Sequence, residues 1–249
     1  SVSFAPILLS INPTPAFERT KPMNLPQLIE TSPLGCVGMF LLGGVFSIQF
    51  GMAAIFGVEA KLSVGQISGF IAAFYVGAML LQYPIGWLSD RMDRRVLIAI
   101  VSALAAIAAS FGTIGWDSFL LLLTVAFFVG GMTNPLYSLL IAHTNDFLDF
   151  DDMVAASGGL LFIHGFGAIS GPLIVGWMIS QFGPLGFFLV IISLMGGLSL
   201  YALFRMTQRT AIAVEDTGTY AAVTPGASPV ALGIAQEYAI DVASEDDEK

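Results

Sequence analysis

Five polar side chains lie deep inside long apolar runs, where only a bound solute, a proton or a neighbouring helix could interact with them. Burying such groups in lipid is costly, so each marks either a solute pathway or a hydrogen bond between helices. His164 is the member that can change charge near neutral pH; the alternative is a neutral ring bonded to another helix. The candidate substrate-facing residues are Gln49, Tyr75, Asn134, Tyr137 and His164.

Residues 86–95, which read G-W-L-S-D-R-M-D-R-R, form a compact group of charged residues. The whole chain is 11% charged and 56% hydrophobic, and the runs on both sides of this segment carry no charge. Placing an Asp or an Arg at mid-depth in a bilayer costs roughly 2.5 to 3.5 kcal/mol. The segment is therefore predicted to be a loop at a membrane surface.

The remaining reactive side chains form no catalytic or metal-binding pattern. Cys36 is the single cysteine, and the two histidines, His143 and His164, lie on different helices with no carboxylate near mid-depth. The acidic segment 145–152 lacks the glycine and the terminal glutamate of a calcium loop. An aquaporin-type channel needs paired Asn-Pro-Ala half-helices, and this chain offers one Asn-Pro-Leu. We expect no enzyme activity, no cofactor, no metal and no nucleic-acid partner.

The elements that position these side chains are six uncharged runs in a chain whose mean hydropathy is +0.83. At 1.5 Å per residue each run is long enough to cross a hydrocarbon core of about 30 Å. The runs are continuous and do not alternate, which excludes a barrel. The predicted fold is an all-α membrane protein, a bundle of six transmembrane helices at residues 34–56, 64–88, 96–115, 119–142, 154–180 and 184–204.

Three segments flank the bundle. Residues 1–11 are apolar but too short to span, and we expect the truncated end of a preceding transmembrane helix. Residues 12–33 are rich in proline and polar residues and predict a connector with at most a short surface helix around residues 24–30. Residues 205–249 mix small residues, proline and acid, which predicts a disordered acidic tail.

Basic residues are distributed asymmetrically between the two sides of the bundle. They cluster before the first run, between the second and third, and after the sixth, while the other side carries a single lysine. By the positive-inside rule both ends of the chain are expected to be cytoplasmic, in an inner or plasma membrane. The residues behind this expectation are Arg19, Lys21, Arg91, Arg94, Arg95, Arg205 and Arg209 on one side and Lys61 on the other.

The segment 86–95 resembles the signature loop of the major facilitator superfamily, in which glycine, a small residue, aspartate and basic residues join the second and third helices of a six-helix half. Asp93 departs from the pattern, which usually has glycine there. The resemblance implies a conformational latch made of Gly86, Asp90, Arg91, Arg94 and Arg95. Its candidate partners are the carboxylates of the other loop on the same side, Asp146, Asp149, Asp151 and Asp152.

A second resemblance lies in the fifth run, where Gly167, Gly171 and Pro172 form the G-x-x-x-G-P element often found in the fifth helix of such a half. The glycines let another helix backbone approach, and the proline weakens the helical ladder. The alternative is ordinary packing by small residues, which is common in any membrane helix.

The resemblance implies that the chain is the C-terminal six-helix half of a transporter of this superfamily. It places the five candidate polar residues on the first, second, fourth and fifth helices, which line the pathway. The expected function is secondary active transport of a small solute by alternating access, ion-coupled or by exchange, with a neutral or amphiphilic substrate because the runs carry no charge. A full pathway would need an N-terminal half or a second copy. The alternative is a non-transporting membrane sensor or scaffold with the same bundle.

Overall fold

The computed structural model describes residues 24–115, 117–148, 150–208, 217 and 220–223. Within these residues the fold is all-α, and six helices are long and apolar enough to cross a membrane, as the sequence predicts. We number them spans 1 to 6. Span 1 is Pro33–Glu59, span 2 Val64–Ser89, span 3 Arg94–Ile114, span 4 Phe119–Asn145, span 5 Phe150–Phe182 with its apolar part at Ala155–Phe182, and span 6 Leu185–Met206.

Several helices run beyond the apolar runs that predict them. Span 4 continues to Asn145 and span 5 begins at Phe150, so Asp151 and Asp152 lie in the first turn of a helix and not in a loop as expected. Polar residues can continue a helix once it has reached the membrane surface, because water is available there. Acidic residues also suit the positive end of a helix dipole, which favours an early start for span 5.

A short helix, Leu25–Thr31, leads into span 1 at the position expected for a surface helix. Asn24 and Gln27 form a capping box, and Leu28 is buried against the bundle. Ser32 then caps span 1 and its hydroxyl lies 3.2 Å from that of Thr144. These contacts fix the start of span 1 against the end of span 4.

Span 1 is not a regular α-helix throughout. It is α-helical over Pro33–Phe46, forms a π-helical turn over Ser47–Met52 and returns to α-helix over Ala53–Glu59. A π turn inserts an extra residue and rotates the helix beyond it, and such turns occur frequently at functional sites. Gln49 lies within this turn and is buried.

Glycines allow close contact in two pairs of spans, 2 with 4 and 1 with 5. A Cβ on Gly77 of span 2 would meet the carbonyl oxygen of Phe127 in span 4. A Cβ on Gly167 of span 5 would meet that of Phe40 in span 1, and one on Gly171 would meet the hydroxyl of Ser47. Gly167 and Gly171, the two glycine positions predicted from the fifth run, therefore lie at the contact with span 1. The lack of a side chain at these positions lets the two helices approach closely.

Spans 2 and 5 are the least covered of the six. Each exposes a row of large apolar side chains along one face at helical spacing. Such a row is compatible with lipid or with another set of membrane helices. The exposed residues are Tyr75, Met79 and Tyr83 on span 2, and Phe162, Phe166, Ile169, Leu173 and Trp177 on span 5.

Candidate functional site

Arg94 is the centre of the charged site at the end of the bundle that carries residues 86–95, which we call the latch end. It is the first residue of the span 3 helix, and its side chain is only 2% exposed. The guanidinium pairs with the Asp146 carboxylate, which is 4% exposed, and also donates to the Ala142 carbonyl at 3.3 Å and the Ser89 hydroxyl at 3.2 Å. Arg94 thus joins the ends of spans 2, 3 and 4.

Asp90 links this network to a later part of the chain. It follows the last helical residue of span 2, and one carboxylate oxygen lies 3.6 Å from the Arg94 guanidinium. The same oxygen accepts a hydrogen bond from the backbone N–H of Tyr220 at 2.9 Å. The predicted motif carboxylate is therefore shared between an arginine of span 3 and the segment that follows span 6.

The other two arginines of the segment make local contacts. Arg95 donates to Asp93, with a closest N–O distance of 2.7 Å, and the Asp93 carboxylate also accepts the Arg95 backbone N–H at 2.9 Å. Burial raises the pKa of Asp93, but the hydrogen bonds and charge of Arg95 outweigh it and the pKa falls below its ordinary value. Asp93, the departure from the family pattern, is thus the N-cap of span 3.

Arg91 lies on the outer surface of the same segment. Its guanidinium sits over the Trp87 ring, 4.1 Å from the ring centre, and donates to the Trp87 carbonyl at 3.1 Å. The three arginines of this basic set therefore lie in three different environments. Arg91 lies in the turn after span 2, whereas Arg94 and Arg95 are the first two residues of the span 3 helix and point in different directions.

Of the four predicted acidic partners, Asp146 is brought to Arg94. Asp152 is half buried in the first turn of the span 5 helix. Asp149 and the side chain of Asp151 lie outside the described residues.

A polar pair lies at mid-membrane between spans 1 and 4. The Gln49 side-chain amide donates to the Thr133 hydroxyl at 3.0 Å, and that hydroxyl is 2.8 Å from the Val129 carbonyl of its own helix. Both side chains are fully buried. The π turn of span 1 places Gln49 at this contact, so a polar group is held inside an apolar bundle by one partner on the facing helix.

Next to this pair lies an aromatic group that we call the mid-membrane cluster: Phe46, Phe50, Tyr75, Tyr137 and His164. The His164 ring is 5.4 Å from Phe46 and 5.3 Å from Tyr137, measured between ring centres. Phe46 lies 5.9 Å from Phe50, which lies 4.8 Å from Tyr75. Four spans therefore contribute to one continuous set of rings.

The five predicted polar residues differ in their surroundings within this region. His164 and Tyr137 are buried in the cluster, and His164 Nδ1 has no hydrogen-bond partner among the described residues. Tyr75 is 57% exposed and lies where the cluster reaches the surface of the bundle. Asn134 is half buried and donates to the Gly130 carbonyl of its own helix at 3.0 Å.

Comparison with known proteins decides the family. A family profile described as Major Facilitator Superfamily matches residues 35–232, which is most of the chain. The chain belongs to the major facilitator superfamily. It is an integral, multi-pass membrane protein with the six spans described above.

Its curated relatives are themselves superfamily transporters of uncharacterized function. An uncharacterized MFS-type transporter of Bacillus subtilis (strain 168), YfkF, is 26% identical over 57% of this chain and 36% of its own length. YcaD of Escherichia coli O17:K52:H18 is 25% identical over 66% of this chain and 42% of its own length. A third, from Yersinia pestis (strain Pestoides F), is 21% identical over 65% of this chain and 41% of its own length. The chain thus matches about two fifths of the length of these superfamily relatives.

Some residues of this superfamily bundle have no signal in the sequence pattern. Thr133 completes the Gln49 pair and Phe46 and Phe50 build the cluster, yet hydroxyl and aromatic residues are common in membrane helices. Ser138 of span 4 is bonded to the backbone of Val223. The hydroxyls of Thr133 and Ser138 are visible in the fourth run, but no sequence pattern indicates their partners.

Proposed function

We propose that this chain is the second six-span half of a secondary transporter that moves a small solute by alternating access. The observation that carries the proposal is the mid-membrane cluster with the adjoining Gln49–Thr133 pair. Spans 1, 2, 4 and 5 all contribute to it, and it reaches the bundle surface at Tyr75. Ligand sites combine mostly apolar and aromatic walls with a few placed polar groups, and this region has that composition.

The chemistry of the region favours a neutral or amphiphilic solute, including a zwitterion. Aromatic rings offer faces for apolar parts of a solute, and an amide and a hydroxyl offer hydrogen bonds. No Asp, Glu, Lys or Arg occurs in the six apolar runs, so this half provides no counter-charge for a permanent ion.

The latch network is proposed to bias the equilibrium between two arrangements of the transporter, with the latch end cytoplasmic. Contacts made in one state and broken in the other shift such an equilibrium by their differential free energy. Arg94, Asp90 and Asp146 join the ends of spans 2, 3 and 4 and are suited to this role. The exposed faces of spans 2 and 5 are proposed to meet an N-terminal half or a second copy, against which the bundle rocks.

The test of transport is solute flux in proteoliposomes that hold the full-length protein. A panel of radiolabelled neutral, zwitterionic, anionic and cationic solutes of matched size is offered, and a neutral or zwitterionic one is expected to accumulate. Gln49→Leu should reduce the flux of that solute, whereas Gln181→Leu, an exposed glutamine at the end of span 5, should not. Accumulation only of permanently charged solutes would contradict the substrate class, and no flux for any class would favour a sensor or scaffold.

Two further variants test the assigned roles. Asp90→Asn should slow transport without loss of insertion or folding, because the latch loses a charge; an unchanged turnover rate would refute the latch. His164→Gln tests proton coupling, since an unchanged pH dependence of flux would remove His164 from any proton pathway.

A further inference from the structure

A short segment beyond span 6 returns to the bundle and packs against it. The span 6 helix ends at Met206, and residues 220–223, which we call the tail segment, lie against the latch-end halves of spans 2 and 4. This differs from the expectation of a disordered tail over 205–249. The other residues of that range, apart from 205–208 and 217, lie outside the described residues.

The backbone of the tail segment makes three hydrogen bonds to side chains of the bundle. The Tyr220 N–H donates to the Asp90 carboxylate at 2.9 Å. At the other end the Ser138 hydroxyl accepts the Val223 N–H at 2.9 Å and donates to the Val223 carbonyl at 3.1 Å. One hydroxyl thus satisfies both polar groups of a single residue, which fixes the position of that residue along span 4.

The side chains of the tail segment fill a groove between spans 2 and 4. The Tyr220 ring lies over Gly86, where an added Cβ would come within 2.7 Å of the ring. Val223 is only 6% exposed and belongs to the apolar core. Burial raises the pKa of Tyr220 to about 12, which agrees with a ring held away from water.

The groove leads from the end of the bundle toward its interior. Ser138 lies seven residues before the end of the span 4 helix, about 10 Å along its axis. Three residues of extended chain cover about 10 Å, so the tail segment reaches from Asp90 at the surface to the depth of Ser138. A cavity of about 550 Å³ remains beside it, lined by Met79, Tyr83, Trp87 and Arg91 among others. It opens on the exposed face of span 2.

We propose that residues 220–223 are an intramolecular peptide ligand of this groove, and that their docking restrains the latch. The restraint follows from Asp90, because one carboxylate oxygen serves both the Tyr220 N–H and Arg94. While the tail segment is docked, Asp90 is held at the junction of spans 2 and 3 from two sides. Only the restraint rests on the proposed transport function; the docking does not.

Docking is tested by the labelling rate of a cysteine placed in the tail segment of the full-length protein in membrane vesicles. The reporter is Val223→Cys, a change that keeps the backbone hydrogen bonds of residue 223, in a Cys36→Ala background. The probe is a membrane-permeant maleimide. Slow labelling is expected. Gly86→Leu should speed it by at least about tenfold, because the new side chain occupies the place of the Tyr220 ring and local opening exposes the reporter. Gly65→Leu on the same span is the matched control, since no atom lies within 4 Å of its added Cβ.

A second releasing variant keeps the test independent of the folding of Gly86→Leu. Ser138→Ala removes the hydroxyl that holds Val223 and should also speed labelling of the reporter. Fast labelling in the parent protein, or equal slow labelling in both releasing variants, would overturn the docking.

The restraint is tested with a second reporter, Asn145→Cys, beside Asp146 at the end of span 4. Asn145 is buried and its Oδ1 has no hydrogen-bond partner among the described residues, so this change breaks no bond of that oxygen. If docking restrains the latch, Ser138→Ala should speed labelling at both reporter positions. Faster labelling at 223 with no change at 145 would refute the restraint and leave the docking standing, whether or not the protein transports any solute.

Discussion

The buried pair Arg94–Asp146 makes a sharp prediction about stability, because the two single replacements should differ. Asp146→Ala removes the carboxylate but leaves the guanidinium its Ser89 and Ala142 acceptors, with Asp90 at 3.6 Å. Arg94→Ala removes every contact of the guanidinium at once and deprives the Asp146 carboxylate, which is 4% exposed, of the Arg94 charge. The second change should therefore cost more.

The magnitudes follow from the burial of the pair. Breaking a buried ion pair by removing one partner costs about 3 to 5 kcal/mol. Because the Asp90 carboxylate, 35% exposed, still lies close to the guanidinium, we expect Asp146→Ala to cost about 3 kcal/mol and Arg94→Ala about 5 kcal/mol. The double variant Arg94→Met/Asp146→Leu should recover most of this loss, since an apolar pair of similar volume replaces buried charges at little cost.

The assay is equilibrium unfolding of the full-length protein in detergent, followed by tryptophan fluorescence, with a double-mutant cycle to isolate the coupling. Arg91→Ala is the control, because this arginine is exposed and stacks on Trp87, a contact of about 0.5 to 1 kcal/mol. Equal losses for Arg91→Ala and Arg94→Ala, or no coupling between Arg94 and Asp146, would refute the assignment of Arg94 as the centre of the network.

Three other predictions concern packing, pH and bending. Gly167→Leu should abolish the folded monodisperse protein in size-exclusion chromatography, whereas Gly165→Leu should not, because only the first Cβ meets a backbone carbonyl of span 1. Because Arg95 lowers the pKa of Asp93, the bond between them stabilises the fold at pH values above 3.8, the ordinary pKa of this carboxyl. This stabilisation is lost as the pH falls through the lowered pKa. Asp93→Asn should therefore flatten the acid limb of the stability curve, and an unchanged limb would contradict this. Pro135→Ala should slow maleimide labelling of Asn145→Cys with little change in stability, because it restores a backbone N–H inside span 4; faster labelling would contradict this reasoning.

The six spans could be predicted from the sequence because few backbone conformations satisfy all of their own hydrogen bonds in lipid. A continuous uncharged run of span length must form a helix to satisfy its own hydrogen bonds. The ends of the helices could not be placed as well. Asp151 and Asp152 look like loop residues by composition, but water at the membrane surface and the helix dipole let span 5 begin before them.

The charged site was predicted as a group, but its internal roles were not. Arg91, Arg94 and Arg95 are the same residue type within five positions, and composition treats them alike. Their roles depend on where the helix of span 3 begins. Asp93 caps that helix and holds Arg95, which leaves Arg94 directed at span 4. A change that looks like a departure from the family pattern thus sets the geometry of its neighbours.

The mid-membrane region was only partly predictable for a different reason. Gln49 is conspicuous in an apolar run, whereas its partner Thr133 is not, and no local pattern indicates the π turn that presents Gln49 to it. The tail segment had still less signal. Three of its bonds use backbone groups, which every residue carries, so four residues of unremarkable composition could dock without leaving a recognisable motif.

Span 4 connects the three features to which we assign functional roles. Thr133 faces the mid-membrane pair, Ser138 holds the tail segment and Asp146, just past the helix end, binds Arg94, so one element of about 20 Å carries all three contacts. Pro135 lies between the first contact and the other two, and it lacks the N–H that would bond the carbonyl one turn earlier. Bending of a helix concentrates where its ladder is interrupted. A bend there would move the tail and latch contacts together relative to the mid-membrane pair, which is why a change at Pro135 should be felt at Asn145.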